Sequence, residues 1–247
     1  MAQLLLKVRL MESEASGTAR MGLLAGACSA ALFLAGACGH SRLLPATGAE
    51  TVLGAPTAAV AVENGVRLTV DSDSWRGEPE DLADWLTPMK VRITNKSGKP
   101  VRIMYEAFRV RGKSGRVYRA RPVVPIAQAS SESNRGTIKP IYAASKFFVA
   151  KRLGDVYRCC DSWPEPLPRD DALYEKQYRA WRDQPPTSHM KRESMPEGVL
   201  ANGGVITGYL YFDHVADRET LATFQARLED GEGGQAVADL KIPFRVD

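Results

Sequence analysis

The feature that most limits how this chain can fold is the dipeptide Asn64-Gly65, set inside "AVAVENGVRLTVD". On one side, Val60 and Val62 alternate with small or polar residues. On the other, Val66, Leu68 and Val70 alternate with Arg67 and Thr69. A period of two on both sides of Asn-Gly predicts a β-hairpin, because the favoured two-residue turn needs positive φ at both central positions. The same style recurs downstream. Met89, Val91 and Ile93 alternate, "NKSGK" turns, and Val101 and Ile103 alternate again. Phe108 and Val110 continue, "GKSG" turns, and Val117 and Tyr118 begin another run. Short strands at this spacing predict an antiparallel sandwich or barrel.

The C-terminal part repeats the pattern. "GVITGYLYFDHV" supplies Ile206, Tyr209, Tyr211 and Phe212. "TLATFQARLED" places Ala222, Phe224, Ala226 and Leu228 on one face and Leu221 and Gln225 on the other. Gly231, Gly233 and Gly234 read as a turn. Val237, Leu240, Ile242, Phe244 and Val246 close the chain, and Pro243 favours an edge or a bulge there.

Between these halves, from about 127 to 195, the alternation stops, and the segment reads as a partly helical insertion. Ser145 to Leu153 reads as a short helix closed by Gly154. Asp170 to Asp183 is the clearest helix, with an Asp to cap it, an i,i+4 pair in Glu175 and Arg179, and Pro185-Pro186 to stop it. Tyr174, Tyr178 and Trp181 fall on one face of it and read as core packing. Earlier, Ser74 to Pro88 reads as a loop with a helical turn. Pro79 would take the first helical position, Leu82, Trp85 and Leu86 would pack inward, and Pro88 would end the turn. The fold class is therefore mainly β, an antiparallel β-sandwich over 57–247 carrying a helical insertion.

The N-terminal region differs in kind. Arg20 is the last charge before the uncharged run from Met21 to Gly39. A helix of about 16 such residues spans roughly 24 Å, short of a hydrocarbon core of about 30 Å. A basic flank, an apolar stretch and then small residues are the order of a secretory signal peptide. Leu34, Ala35, Gly36, Ala37 and Cys38 resemble the lipobox of bacterial lipoproteins, with Ala35 where that family usually has a branched aliphatic residue. The resemblance implies cleavage before Cys38 and lipidation of that cysteine. It implies a lipid-anchored protein of the bacterial cell envelope, in the outer membrane and facing the periplasm or the cell surface. The earlier "LAGAC" ending at Cys28 leaves too short an apolar run before it, so Cys28 belongs to the discarded segment. Residues 1–37 are then signal peptide, and 38–56, small, polar and proline-marked, read as a flexible tether.

A second resemblance is carried by "VRITNKSGKPVRI" and the closing "IPFRV", which are similar to the immunoglobulin-like domains of exported bacterial lipoproteins. It implies an immunoglobulin-like β-sandwich and says little about activity.

Charge is mild. The chain carries +4. Loss of Lys7, Arg9, Arg20, Glu12 and Glu14 with the signal segment removes a net +1, so the mature chain carries +3. That favours solubility and does not point to nucleic acid. Arg109, Arg111, Lys113, Arg116, Arg119 and Arg121 nevertheless crowd one predicted hairpin. Arg109 and Arg111 share a strand face opposite Phe108 and Val110, and Arg119 and Arg121 also share a face. Such a run is ordinarily a solvated sheet face, and it is also a candidate surface for lipid phosphates or anionic glycans.

Cys159-Cys160 are the remaining thiols. Neighbouring α carbons lie about 3.8 Å apart, below the usual disulfide range of about 4.4–6.8 Å. Two reduced thiols, a bond to another molecule and a redox pair all stay open. Zinc would need two more ligands at motif spacing, which His189 and His214 do not provide, so no metal or cofactor is expected. Asp213-His214 after a strand, and His189 in a polar loop, lack a partnered nucleophile. The leading expectation is a non-enzymatic, lipid-anchored binding or structural module. Its partner would be the membrane and, beside it, an envelope protein or anionic glycan. The alternatives are a thiol oxidoreductase on Cys159 and Cys160, a hydrolase near His214, or a sandwich binding a small ligand beneath its insertion.

Overall fold

The computed structural model describes residues 42–124, 147–149, 170–181, 183–231 and 234–247, the segment 147–149 through its backbone. Residues 1–37, Cys28, Cys38, Cys159, Cys160, Gly233 and most of the insertion lie outside the described residues.

Among the described residues thirteen strands run in chain order: β1 (Leu43–Pro45), β2 (Glu50–Val52), β3 (Ala55–Glu63), β4 (Val66–Asp71), β5 (Leu86–Asn95), β6 (Val101–Ile103), β7 (Phe108–Gly112), β8 (Val117–Arg119), β9 (Phe147–Val149), β10 (Gly198–Leu200), β11 (Val205–Asp213), β12 (Leu221–Asp230) and β13 (Ala236–Val246). Among the described residues three short α-helices join them: α1 (Leu82–Trp85), α2 (Asp171–Tyr178) and α3 (Ser188–Glu193). The strands form two antiparallel sheets. The larger, eight-stranded sheet runs β1-β13-β12-β6-β10-β9, with β7 also paired to β12 and β8 to β7. The smaller, five-stranded sheet runs β11-β5-β4-β3-β2. The chain is thus mainly β and sandwich-like.

One core fills the space between the sheets. Leu68, Val70, Met89, Val91, Ile93, Leu210 and Phe212 enter it from the smaller sheet. Phe108, Val110, Phe224, Leu228, Leu240 and Phe244 enter it from the larger. Phe212 meets Phe224 edge-on at 6.0 Å, the favoured aromatic geometry. Full burial of each such ring is worth about 1.5–3 kcal/mol.

The turns follow from their residues. Asn64 and Gly65 have φ of 48° and 79°, as the two-residue hairpin requires. In the "NKSGK" turn, fully buried Asn95 donates from Nδ2 to the carbonyls of Lys99 (2.7 Å) and Leu200 (2.8 Å). Its Oδ1 accepts from Ser97 N and Ser97 Oγ. One side chain thereby ties the β5–β6 turn to the end of β10 with every amide group satisfied.

Several expectations need correction. The segment read as a tether is built into the fold from residue 42 onward. β1 pairs with β13, β2 pairs with β3, and Leu43 is buried. In β3 the core face is carried by Ala59 and Ala61, which stand opposite Val70 and Leu68, while Val62 is exposed. Residues 147–149 form a strand on β10 instead of a helix. Pro79 lies ahead of α1, where its carbonyl accepts from the Trp75 indole at 2.8 Å. Pro88 does not end a helix but sits buried in β5 opposite Tyr211. Pro243 is in an inner strand, between β1 and β12. Its carbonyl accepts from Ala46 N just past β1, so its missing N–H faces the side where that short partner runs out.

The helix at Asp170 forms as read, with Asp170 accepting from Leu173 N at 2.9 Å, and runs into a 3-10 turn at Arg179–Trp181. "TSHMKRE" is a helix and not a loop, since Thr187 Oγ1 accepts from Met190 N. The two helical segments serve β11. Its even residues enter the main core, but Tyr209 and Tyr211 point outward and are also buried. A second cluster covers them, made of Trp75, Leu82, Leu86, Val123, Trp181 and Met190.

Candidate functional site

The hairpin β7–β8 carries the basic run. Its turn is held from outside by Glu219, whose carboxylate accepts from Ser114 N at 3.0 Å, from Ser114 Oγ, and from the Tyr118 hydroxyl at 3.1 Å. The Ser114 hydroxyl holds this buried carboxyl below the usual carboxylate range, against the opposing pull of burial. Burial, with Glu219 adding to it, pushes the Tyr118 phenol up. Gly112 makes the arrangement sterically possible, because a Cβ there would overlap the Glu219 carboxyl.

Register then decides which basic residues meet. Arg119, Arg109, Gln225 and Lys241 lie in one row across β8, β7, β12 and β13. Val117, Arg111, Thr223 and Pro243 form the next row, and Leu221, Arg245 and Leu44 a third that reaches β1. Residues opposite each other in a sheet share a face, so all of these point away from the core. Arg227 joins them in the row on the other side of Gln225 and Lys241, opposite Asp239.

The charges on this face are unequally committed. Arg109 donates from Nε to Gln225 Oε1 at 2.8 Å. Lys241 pairs with Asp239 at 2.9 Å and Arg245 with Asp247 at 2.6 Å. Arg111 and Arg119 are exposed and make no ion pair among the described residues, and Val117 and Leu221 stand exposed between and beside them. Lys113 and Arg116 project from the turn.

Arg121 leaves this group. Its guanidinium pairs with Asp213, donates to the Ala180 carbonyl, and lies 5.2 Å from the Trp181 ring centre. It therefore braces the outward cluster and does not share a face with Arg119. Lys241, Arg245, Arg227 and Leu221 are members that reading along the sequence missed. They join the patch only through pairing with strands more than a hundred residues away, a signal absent from any single run.

The other candidates are held in structural contacts. Asp213 is the partner of Arg121, and His214 Nδ1 lies 2.8 Å from Asp217 within its own loop. His189 Nδ1 accepts from Glu78 N at 3.1 Å, with its ring 5.6 Å from Trp75. Among the described residues no group of His, Cys, Asp and Glu is arranged to hold a metal ion. Beside α2, a recess lined by Met104, Tyr174, Gln177 and Glu197 measures about 10 Å³, the size of one water. No helix among the described residues is long and apolar enough to cross a membrane. No protein-family model, curated protein or solved structure matches this chain.

Proposed function

We propose that this chain is a lipid-anchored protein of the bacterial cell envelope, attached at Cys38, in the outer membrane. Its immunoglobulin-like sandwich acts as a non-enzymatic binding module. The observation that carries the reading is the exposed basic face. Arg111 and Arg119 are held in rigid strands beside exposed Val117 and Leu221, while Asp213, His189 and Arg121 serve packing and turns. Ordered arginines that make no ion pair among the described residues are suited to an anionic partner. The two antiparallel sheets around one core, with the Asn95 turn between β5 and β6, support the immunoglobulin-like reading.

The anchor is tested by fatty-acid labelling in cells. Wild type and Cys28→Ala should incorporate labelled palmitate, and Cys38→Ala should not. Label retained in Cys38→Ala, or absent from wild type, would overturn the anchor.

A further inference from the structure

We infer that the basic outer face of the larger sheet lies on the phosphate plane of the membrane that holds the anchor. This rests on the anchoring at Cys38 proposed above.

The length of the leash carries the argument. The chain is already in the fold at Arg42, whose N–H donates to the Asp247 carbonyl and whose carbonyl accepts from Asp247 N. The four residues from Cys38 to Arg42 span at most about 14 Å. A lipidated Cys38 therefore keeps β1 within about that distance of the bilayer surface. β1 is an edge strand of the larger sheet, and Leu44 shares its row with Arg245 and Leu221. At about 4.8 Å per strand, the face from β1 to β8 is only about 20 Å wide. Laid flat, it brings Arg245, Lys241, Arg227, Arg111, Arg109 and Arg119 to the phosphates, inside a screening length of about 8–10 Å.

The chemistry of the face agrees. Arg109 and Arg119 stand directly opposite each other across β7 and β8, where like charges repel. A bound phosphate relieves that repulsion. Val117 and Leu221 are exposed among the arginines, and short aliphatic groups beside cations suit a headgroup layer. They gain little from a hydrated glycan. Of the acids on this face, Asp239 and Asp247 are each already paired with a cation of the same face, and Glu229 stands opposite Arg102. The smaller sheet's outer face is poorer in cations: Arg67, Lys90 and Arg92 are exposed there, Lys90 beside the Tyr209 ring, while Tyr209 and Tyr211 lie under the aromatic cluster.

The test is arginine footprinting with phenylglyoxal on the full chain. The chain is reconstituted into vesicles of phosphatidylcholine alone, or of phosphatidylcholine with phosphatidylglycerol, and read by mass spectrometry. Each cation near an anionic surface strengthens attachment roughly fivefold, so Arg111 and Arg119 should lose reactivity on the order of tenfold or more in the anionic vesicles. Arg67 and Arg92 should stay as reactive as in phosphatidylcholine alone. Equal reactivity of Arg111 and Arg119 in both vesicles would overturn the inference. So would protection of Arg67 and Arg92 in their place, or protection by an added anionic polysaccharide but not by phosphatidylglycerol. Failure of the anchor reads differently: the chain would then not partition into phosphatidylcholine vesicles at all, whatever its arginines do.

Discussion

The two sheets differ most on the faces they turn away from each other. Outside the smaller sheet, Tyr209 and Tyr211 of β11 point outward, and the chain covers them with Trp75, Trp181, Met190 and the residues around α1. Outside the larger sheet, at β7, β8, β12 and β13, arginines point outward and no such cover exists among the described residues. Cover follows side-chain chemistry. An outward aromatic must be buried to contribute, whereas an outward arginine is stable in water and gains only when an anion arrives. Strands and short turns build both places. The difference lies in what each strand turns away from the core: aromatics in β11, arginines in β7, β12 and β13.

The covered face should be the one that matters for stability. Trp181 is buried, donates from Nε1 to the Pro122 carbonyl at 2.6 Å, and meets Tyr211 edge-on at 6.3 Å. Trp181→Ala should cost about 3–5 kcal/mol in urea unfolding, as for other large aromatics cut to alanine. A loss under about 1 kcal/mol would mean the second cluster is a loose flap and the contrast between the faces is false.

Next comes the clamp that holds the open face in shape. Gly112→Ala should cost about 1–3 kcal/mol, because the added methyl falls on the Glu219 carboxyl. Gly112→Ala with Glu219→Ala together should cost less than the two single changes summed, since they share one contact. Strict additivity would show that the clamp is not the reason for the glycine.

The same carboxylate gives a pH signature. Its folded pKa is lowered, so its contribution is fully present above the ordinary carboxyl range near about 4.3 and is lost as pH falls through the lowered folded value. The stability advantage of wild type over Glu219→Gln should be constant at neutral pH and shrink on acidification below about pH 4. An advantage that grows with acid would reverse the sign and remove the charge from the account.

The smallest effect belongs to the open face itself. Arg111→Gln with Arg119→Gln should move the unfolding midpoint by no more than about 0.5 kcal/mol per site, the ordinary range for exposed positions. A larger loss would make those arginines structural.

Much of this contrast was readable from sequence, and the unreadable part has physical reasons. Asn64-Gly65 announced its hairpin because positive φ is costly for most residues. Met89, Val91 and Ile93 announced the inward face of β5, since one face of that strand is core and the other is largely wet. β3 misled, because the rule that ranks valine above alanine ignores the partner strand. Leu68 and Val70 fill the core there and leave room only for Ala59 and Ala61. β11 gave no clean period because both of its faces are buried. β1 and β2 looked like tether because short edge strands are held largely by backbone bonds, and the partner of β1 is at the other end of the chain. Phe147–Val149 is the ordinary ambiguity of a short apolar run. For the candidate site, the arginines of β7 and β8 were legible, but the patch was not. Lys241, Arg245 and Leu221 enter it through register alone.

The central claim is that the open face, and not the covered one, meets the membrane. Neutron reflectometry of the full chain on a supported bilayer containing phosphatidylglycerol measures this directly. Protein density should begin at the headgroups with no water layer between. Arg111→Glu with Arg119→Glu should open such a layer, while Arg67→Glu with Arg92→Glu should not. A water layer under wild type, or one profile shared by all three proteins, would contradict the claim.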